Sequence, residues 1–380
     1  MKPSRRSFLA TGLALPTTGL AFPASAPAAP EKPNKLAYRM LGKTGLKVTS
    51  VGFGCMITSD PSVIERAADA GINYFDTARA YQSGNNERMV GAALKGKRQQ
   101  VHISTKTGAG SRAGALAHLD TSLKELGTDY IDIWYLHGKG SAAQLTDELL
   151  DAQQTAKQAG KIRFAGVSLH TGHSEVIPAA IKSGKIDVVL ISYNFTMGDR
   201  TDGLIRQAKD AGLGVVAMKV MAGGFRSNKE GSPNYSVLKR EGAMAAALRW
   251  VLKNPDIGTT IPSMTDMDQF EENFKCMASG FSEEDEKALT AYLDDIRPLY
   301  CRMCGSCEGV CPKGLPVSDV LRFLTYADGY GQFALGRERF LELPAEIAAV
   351  RCGDCAECAV QCPNGVRVAE RLSRAQELFA

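Results

Sequence analysis

VHISTKTGAGSRAGALAHLDTSLKELGTDYIDIWYL, residues 101–136, carries one complete structural repeat. Its two apolar runs, VHISTK (101–106) and IDIWYL (131–136), are short and rich in β-branched and aromatic residues, as strands are. Between them, RAGALAHLDTSLKEL spaces its apolar residues three to four apart, the period of a helix that buries one face. A strand, a helix and a strand with no hairpin turn predict a parallel pair joined by a crossover. The same alternation runs in both directions along the chain. VGFGC (51–55), INYFD (72–76), RFAGVS (163–168), DVVLIS (187–192), LGVVAM (213–218) and IGTTI (257–261) bring the strands to eight, with amphipathic segments such as NERMVGAALK, AQLTDELLDAQQTAKQA and HSEVIPAAIKSG between them. Eight such units in about 230 residues predict an α/β fold, a (β/α)8 TIM barrel. The competing arrangement is a doubly wound sheet, but VGFGCM offers neither a third glycine nor a helix at the offset its nucleotide loop needs. LGKTGLKVTS (41–50) reads as a hairpin covering the bottom of the barrel.

The 380 residues suffice for a large domain and a small one, and 44% apolar residues with a net charge of +4 describe an ordinary globular chain. Its charges are interspersed, with no basic block beside repeated aromatics, so nothing points to nucleic acid or to a membrane surface. The N-terminus differs in composition. Lys2, Arg5 and Arg6 precede the moderately apolar FLATGLALPTTGLAF and the small-residue ASAPAAP, the order of an export signal, too short and interrupted to span a membrane. SRRSFLA (4–10) resembles a twin-arginine signal, which implies removal of about residues 1–29 and a periplasmic location for a protein exported already folded.

Eight of the ten cysteines form two copies of one spacing, C-x2-C-x2-C-x3-C-P. They are Cys301, Cys304, Cys307 and Cys311 with Pro312, then Cys352, Cys355, Cys358 and Cys362 with Pro363. This is the run of a two-cluster ferredoxin, in which each cubane takes three thiolates from one copy and the fourth from the other. One [4Fe-4S] cluster is expected on Cys301, Cys304, Cys307 and Cys362, and a second on Cys352, Cys355, Cys358 and Cys311. Zinc sites favour separated pairs of ligands, and disulfides between cysteines three apart strain the required Cα separations. VSDVLRFLTYADGY and GRERFLELPAEIAAV between the copies have helical apolar spacing, so the tail reads as a small α-helical ferredoxin-like domain. FSEEDEKALTAYLDDI, capped by Ser282 with Asp285 three residues on, is expected to link it to the barrel. The division is then 36–280 for the barrel and 281–380 for the linker helix and iron–sulfur domain. Cys55 and Cys276 stand apart and read as ordinary buried thiols.

Barrel chemistry sits at the C-terminal ends of strands. Asp76 ends the second strand with Tyr81 in the loop after it, Lys106 ends the third, and His137 follows the fourth. A tyrosine next to an ammonium can give up a proton, a carboxylate can hold the ammonium charged, and a histidine can donate a hydrogen bond to a carbonyl oxygen. FDTARAYQSGNNERMVGAAL, with STK at 104–106 and WYLH at 134–137, resembles the aldo-keto reductases, barrel enzymes that move a hydride between NADPH and a carbonyl. The resemblance covers about residues 36–277 and implies Tyr81 as proton donor, Lys106 and Asp76 tuning it, and His137 positioning the carbonyl. The whole chain is similar to a branch of that family with a ferredoxin-like tail.

The resemblance also implies NADP(H) or NAD(H) as cofactor. Ser168 matches one residue of the family's carboxamide clamp, Leu169 and Leu190 stand at its amide positions, and Met218 stands where an aromatic ring faces the nicotinamide. IPSMTDMDQFEEN (261–273) resembles the segment that holds the adenosine phosphate, implicating Ser263, Thr265, Gln269 and Asn273. Ser263 and Gln269 replace the cation that usually meets the 2′-phosphate, so the choice between NADPH and NADH stays open. The expected activity is oxidation or reduction of a small carbonyl or alcohol, with the clusters passing electrons to or from a redox protein or quinone. A non-enzymatic electron carrier with the barrel as docking scaffold is the alternative, and purely structural clusters a third possibility.

Overall fold

The computed structural model describes residues 36–225 and 242–380. The export segment at 1–29 and the loop after LGVVAM from residue 226 on lie outside them. A hairpin of β1 (Tyr38–Met40) and β2 (Lys47–Thr49) precedes the barrel. Its turn needs a residue without a side chain: Gly42 has φ +56°, and a Cβ there would stand 2.3 Å from the Gly214 nitrogen. The approach seats Leu41, Leu46 and Val48 in the barrel's lower end.

Eight parallel strands follow in chain order: β3 (Phe53–Gly54), β4 (Tyr74–Asp76), β5 (His102–Thr107), β6 (Ile131–Leu136), β7 (Ile162–Leu169), β8 (Val188–Ser192), β9 (Gly214–Met218) and β10 (Thr259–Thr260). The sheet closes where Val51 pairs with Thr260 and Gly54 with Ser263, the Gly52 N–H donating to the Thr260 carbonyl at 2.8 Å. Closure explains why the strands are nearly continuous hydrophobic runs, since both faces are covered. Tyr74, Ile133, Tyr135, Val188, Leu190 and Val216 fill the interior, while Phe75, Trp134, Leu136, Val189 and Val215 alternate outward against the helices. Inside, the Tyr74 and Tyr135 hydroxyls meet at 2.9 Å, so two buried polar groups satisfy each other.

The helices around the sheet are α1 (Pro61–Asp69), α2 (Asn85–Ala93), α3 (Arg112–Leu126), α4 (Asp147–Gln158), α5 (His173–Ser183), α6 (Asp199–Asp210), α7 (Ala243–Leu252) and α8 (Met267–Lys275). Asp60, Ser111, Thr146 and Asp266 cap four of them by accepting from first-turn amides. The linker helix α9 (Glu283–Ile296) starts at the capping box of Ser282 and Asp285, and its Ala288 and Leu289 pack on Ala246 and Ala247 of α7. It is therefore an outer layer of the barrel.

The tail folds as α10 (Val317–Asp328), α11 (Phe333–Leu341), the short α12 (Ala345–Ala348) and α13 (Val368–Phe379) around a core that includes Val320, Leu324, Phe340, Leu372 and Phe379. Arg371 and Arg374 tie α13 to Asp328 at 2.6 and 2.8 Å. The tail lies on the barrel, where Gly329 comes so close that a Cβ would meet the Gly223 carbonyl oxygen at 2.1 Å. Among the described residues no helix is long and apolar enough to cross a membrane.

Gly42→Ala combines a left-handed backbone with a main-chain clash, and its expected cost is about 1–3 kcal/mol. Urea unfolding of the variant against the parent measures this, and an unchanged midpoint would contradict the seating of the hairpin against β9.

Candidate active site

The upper rim gathers the residues that end the strands. β4 delivers Asp76 and β5 delivers Lys106 to adjacent positions, both almost wholly buried. The Lys106 ammonium donates to the Asp76 carboxylate and, at 2.7 Å, to the Thr77 carbonyl, while Ser104 Oγ donates to the other Asp76 oxygen at 2.7 Å. Burial pushes the Asp76 carboxyl up and the Lys106 ammonium down, and the charge of each opposes the shift of the other. Removing one partner leaves an uncompensated buried charge, at a cost of about 3–5 kcal/mol.

Tyr81 sits in the loop after β4, followed by Gln82 and Ser83 at φ 50° and 52°, an uncommon backbone for side-chain-bearing residues. The NNE of the following helix holds that loop from below. Asn86 accepts from Thr77 at 2.6 Å and donates to the Cys55 carbonyl at 2.8 Å, and the buried Glu87 accepts from Arg79 and from Thr105 at 2.6 Å. Lys106 Nζ lies 4.8 Å from the centroid of the Tyr81 ring, and the His137 ring meets that ring edge-on at 5.9 Å. All four candidate catalytic residues thus converge.

Lys106 faces the Tyr81 ring and bonds to Asp76 and Thr77. Burial, then the Asp76 charge, pushes Tyr81 well above its ordinary value, because Lys106 addresses Asp76 and Thr77 and presents itself to the ring face. Burial and then Lys106 hold His137 well below its usual range, so it is a neutral imidazole with one N–H to donate.

A cavity of about 540 Å³ opens over these groups, lined by Tyr81, His137, Met218, Ser263, Thr265 and Gln269 from the barrel. Three sequence candidates, Lys106, Ser168 and Asn273, stand off its wall. Ser168 Oγ accepts the Gly138 N–H at 3.0 Å and so supports the loop after His137, while Leu169 and Leu190 are buried in apolar packing. Those positions therefore present no side-chain amide to the cavity. Asn273 is fully buried and does not line the cavity, and neither its amide nitrogen nor its oxygen has a partner. Gln269 donates to Thr265 at 2.8 Å and to Asp266 at 2.7 Å, which puts a carboxylate where a 2′-phosphate would need a cation.

The other half of the cavity comes from the tail, which sequence reasoning missed. Arg322, Tyr326, Tyr330 and Arg339 line it, together with Lys219 and His170 of the barrel. Asp319, Arg322 and Tyr326 recur three and four apart on α10, a polar stripe on an otherwise apolar helix, and that was the available signal. Tyr326 is buried, which raises its hydroxyl, but Lys219, Arg322 and Arg339 outweigh burial and bring it to about 8.

The cluster cysteines fall into two groups. The thiols acting electrostatically on Cys301 are those of Cys307, Cys304 and Cys362, whereas those acting on Cys352 are Cys358, Cys311 and Cys355. The fourth cysteine of each copy lies with the other copy. Burial pushes the Cys301 thiol up to about 12, and a cluster bound there would take the place of its proton. No disulfide joins any of the ten cysteines. Among the described residues no three His, Cys, Asp or Glu side chains close round a single-ion position. A cubane asks instead for sulfurs set round a cluster.

The profile of the Aldo/keto reductase family matches residues 59–294, and that of the 4Fe-4S dicluster domain matches residues 300–368. The chain is 29% identical over 297 residues to the uncharacterized oxidoreductase YqkF of Bacillus subtilis, across 67% of this chain and 95% of that protein. It is 28% identical over 309 residues to L-galactose dehydrogenase of Arabidopsis thaliana, across 70% and 97%. The solved structure of the aldo-keto reductase AKR11C1 from Bacillus halodurans, holo form, superposes with a TM-score of 0.59 at 28% identity, covering 67% of this chain and 96% of that one.

Two measurements check these groupings. Ultraviolet difference titration should show one tyrosine ionising near pH 8 and lose it in Tyr326→Phe; an unchanged curve would contradict the environment described for Tyr326. Cys304→Ala combined with Cys362→Ala should lose no more iron than either alone, whereas Cys358→Ala combined with Cys362→Ala should lose both clusters. The reverse pattern would mean that each copy holds its own cluster.

Proposed function

The chain belongs to the aldo/keto reductase family, and from that premise we propose that it is an exported oxidoreductase interconverting a small carbonyl compound and its alcohol. A nicotinamide nucleotide serves as hydride carrier, and the dicluster domain exchanges electrons with a redox protein or quinone. The observation that carries this reading is the shared cavity, with Tyr81 and His137 on one wall and the cluster-bearing tail on the other. Overall, alcohol and quinone give carbonyl and quinol, with two electrons and two protons moved on each side. A hydride moves two electrons together and each cluster one, so the exchange requires a carrier that can part the pair, a flavin or a quinone, between nicotinamide and clusters.

The chain's own contributions follow from the geometry. In the reducing direction Tyr81 gives its hydroxyl proton to the carbonyl oxygen, and the neutral His137 donates a hydrogen bond to the same oxygen. Lys106 supports the phenolate from its ring face, and Asp76 keeps Lys106 charged. When bound, the nicotinamide supplies the hydride. Ser263, Thr265 and Gln269 would hold the nucleotide, with Met218 beside the ring. Eight cysteines in the dicluster pattern would hold two [4Fe-4S] clusters.

A second reading, an electron carrier whose barrel only docks a partner, is favoured by Leu169 and Leu190 at the amide positions. Anaerobically purified full-length protein separates the two. With a panel of small aldehydes and ketones, Tyr81→Phe should lower kcat by at least about 10²-fold and leave NADH and NADPH affinity unchanged. Absence of nucleotide binding together with indifference to Tyr81→Phe would leave the carrier.

SRRSFLA supports export of the folded, cluster-loaded protein to the periplasm by the twin-arginine route. Replacing both Arg5 and Arg6 by lysine should retain the protein in the cytoplasm with its iron, as fractionation and iron analysis will show. Undiminished export of that variant would contradict the route.

A further inference from the structure

We propose that the tail builds an anion subsite over the reacting pair, so that the substrate is a carbonyl or alcohol bearing a carboxylate or phosphate held by Lys219, Arg322 and Arg339. The proposal deepens the reading above by naming the substrate class of that site. Lys219 follows β9 in a left-handed backbone, φ 57°, which directs a half-buried lysine into the cavity. Its ammonium lies 5.1 and 5.7 Å from the Tyr326 and Tyr330 ring centroids. No described carboxylate pairs with it.

The two arginines have acidic partners but also donors to spare. Arg322 donates to Asp319 at 2.6 Å and to the Tyr326 hydroxyl at 3.3 Å. Arg339 donates to Glu342 at 2.8 and 2.9 Å and to the carbonyl of Ala80 at 3.2 Å, one residue from Tyr81. Each guanidinium carries five N–H donors. Asp76 is cancelled by Lys106, while burial holds His137 and His170 neutral. Among the described residues the cavity wall therefore sets three cations against the two carboxylates of Asp319 and Glu342, an excess of one positive charge. In a recess walled by protein on both sides that charge weighs more than on an open surface. A small molecule with its carbonyl at Tyr81 and His137 would place its anionic end toward the tail.

Pyruvate and butane-2,3-dione test this as a pair, because they share a reactive ketone and differ in carrying a carboxylate. Calorimetric titration into the full-length, cluster-loaded protein should show pyruvate binding at least about 10-fold tighter, equivalent to about 1.4 kcal/mol. Inorganic phosphate should compete with it. Lys219→Met should abolish the preference while iron content and circular dichroism stay unchanged, and Arg322→Gln should reduce it. Saturating NADH should leave pyruvate affinity intact. Equal binding of the two ketones, no binding of either, or a preference surviving both substitutions would overturn the proposal. So would displacement of pyruvate by NADH, which would assign the charge to the nucleotide's pyrophosphate. Because the readout is binding, it stands apart from the enzymatic reading: an intact preference without turnover sinks the enzyme and keeps the subsite.

Discussion

The contact on which the candidate site depends is the close approach of Gly329, at the C-terminal end of α10, to the Gly223 carbonyl beyond β9. A methyl group on Gly329 has nowhere to go, so the helix end and the loop meet backbone to backbone. That proximity brings Tyr326 and Tyr330 over Lys219 and lets Arg339 reach the carbonyl of Ala80. Anchors on the outer side reinforce it. Tyr292 of α9 accepts the Phe225 N–H at 3.0 Å, and the Tyr300 hydroxyl, one residue before the first cluster cysteine, accepts from Asn194 at 3.0 Å. The iron–sulfur module thereby forms a wall of the barrel's cavity.

Burial governs the chemistry of that cavity. Asp76 and Lys106 remain useful as charges because they neutralise each other inside the rim, and the histidines remain neutral because charging them there costs solvation. Tyr81 and Tyr326 show how two like groups diverge under this rule. Tyr81 faces the carboxylate side and is held protonated, whereas Tyr326 stands among Lys219, Arg322 and Arg339 and gives up its proton far more readily. One tyrosine keeps its proton for a bound oxygen; the other adds a titratable hydroxyl to a basic corner.

Much of this was legible in the residues. The eight apolar runs fall on the eight strands, LGKTGLKVTS on the hairpin, and Ser282 with Asp285 on a capping box. Period and capping are local signals, carried by neighbours in sequence. Tyr81, Lys106, Asp76 and His137 were legible because strand ends in a barrel share one rim. The docking of α10 and α11 was not, because an amphipathic helix declares which face is apolar and not what covers it. Ser168 was misleading for a related reason. Its place in a motif says nothing of the Gly138 N–H that occupies its hydroxyl. Lysine in a left-handed backbone, at position 219, likewise has no sequence signature.

The measurement that bears most directly on a cavity shared by barrel and iron–sulfur tail is anaerobic mixing of chemically reduced, cluster-loaded protein with a panel of small carbonyls, catalytic nucleotide and a free flavin to pair the electrons, followed by electron paramagnetic resonance. The expected result is reoxidation of the clusters with one alcohol formed per two electrons lost, and clusters that stay reduced in Tyr81→Phe. Clusters that remain reduced in the parent protein while alcohol forms from nucleotide alone would contradict electron exchange between the two halves.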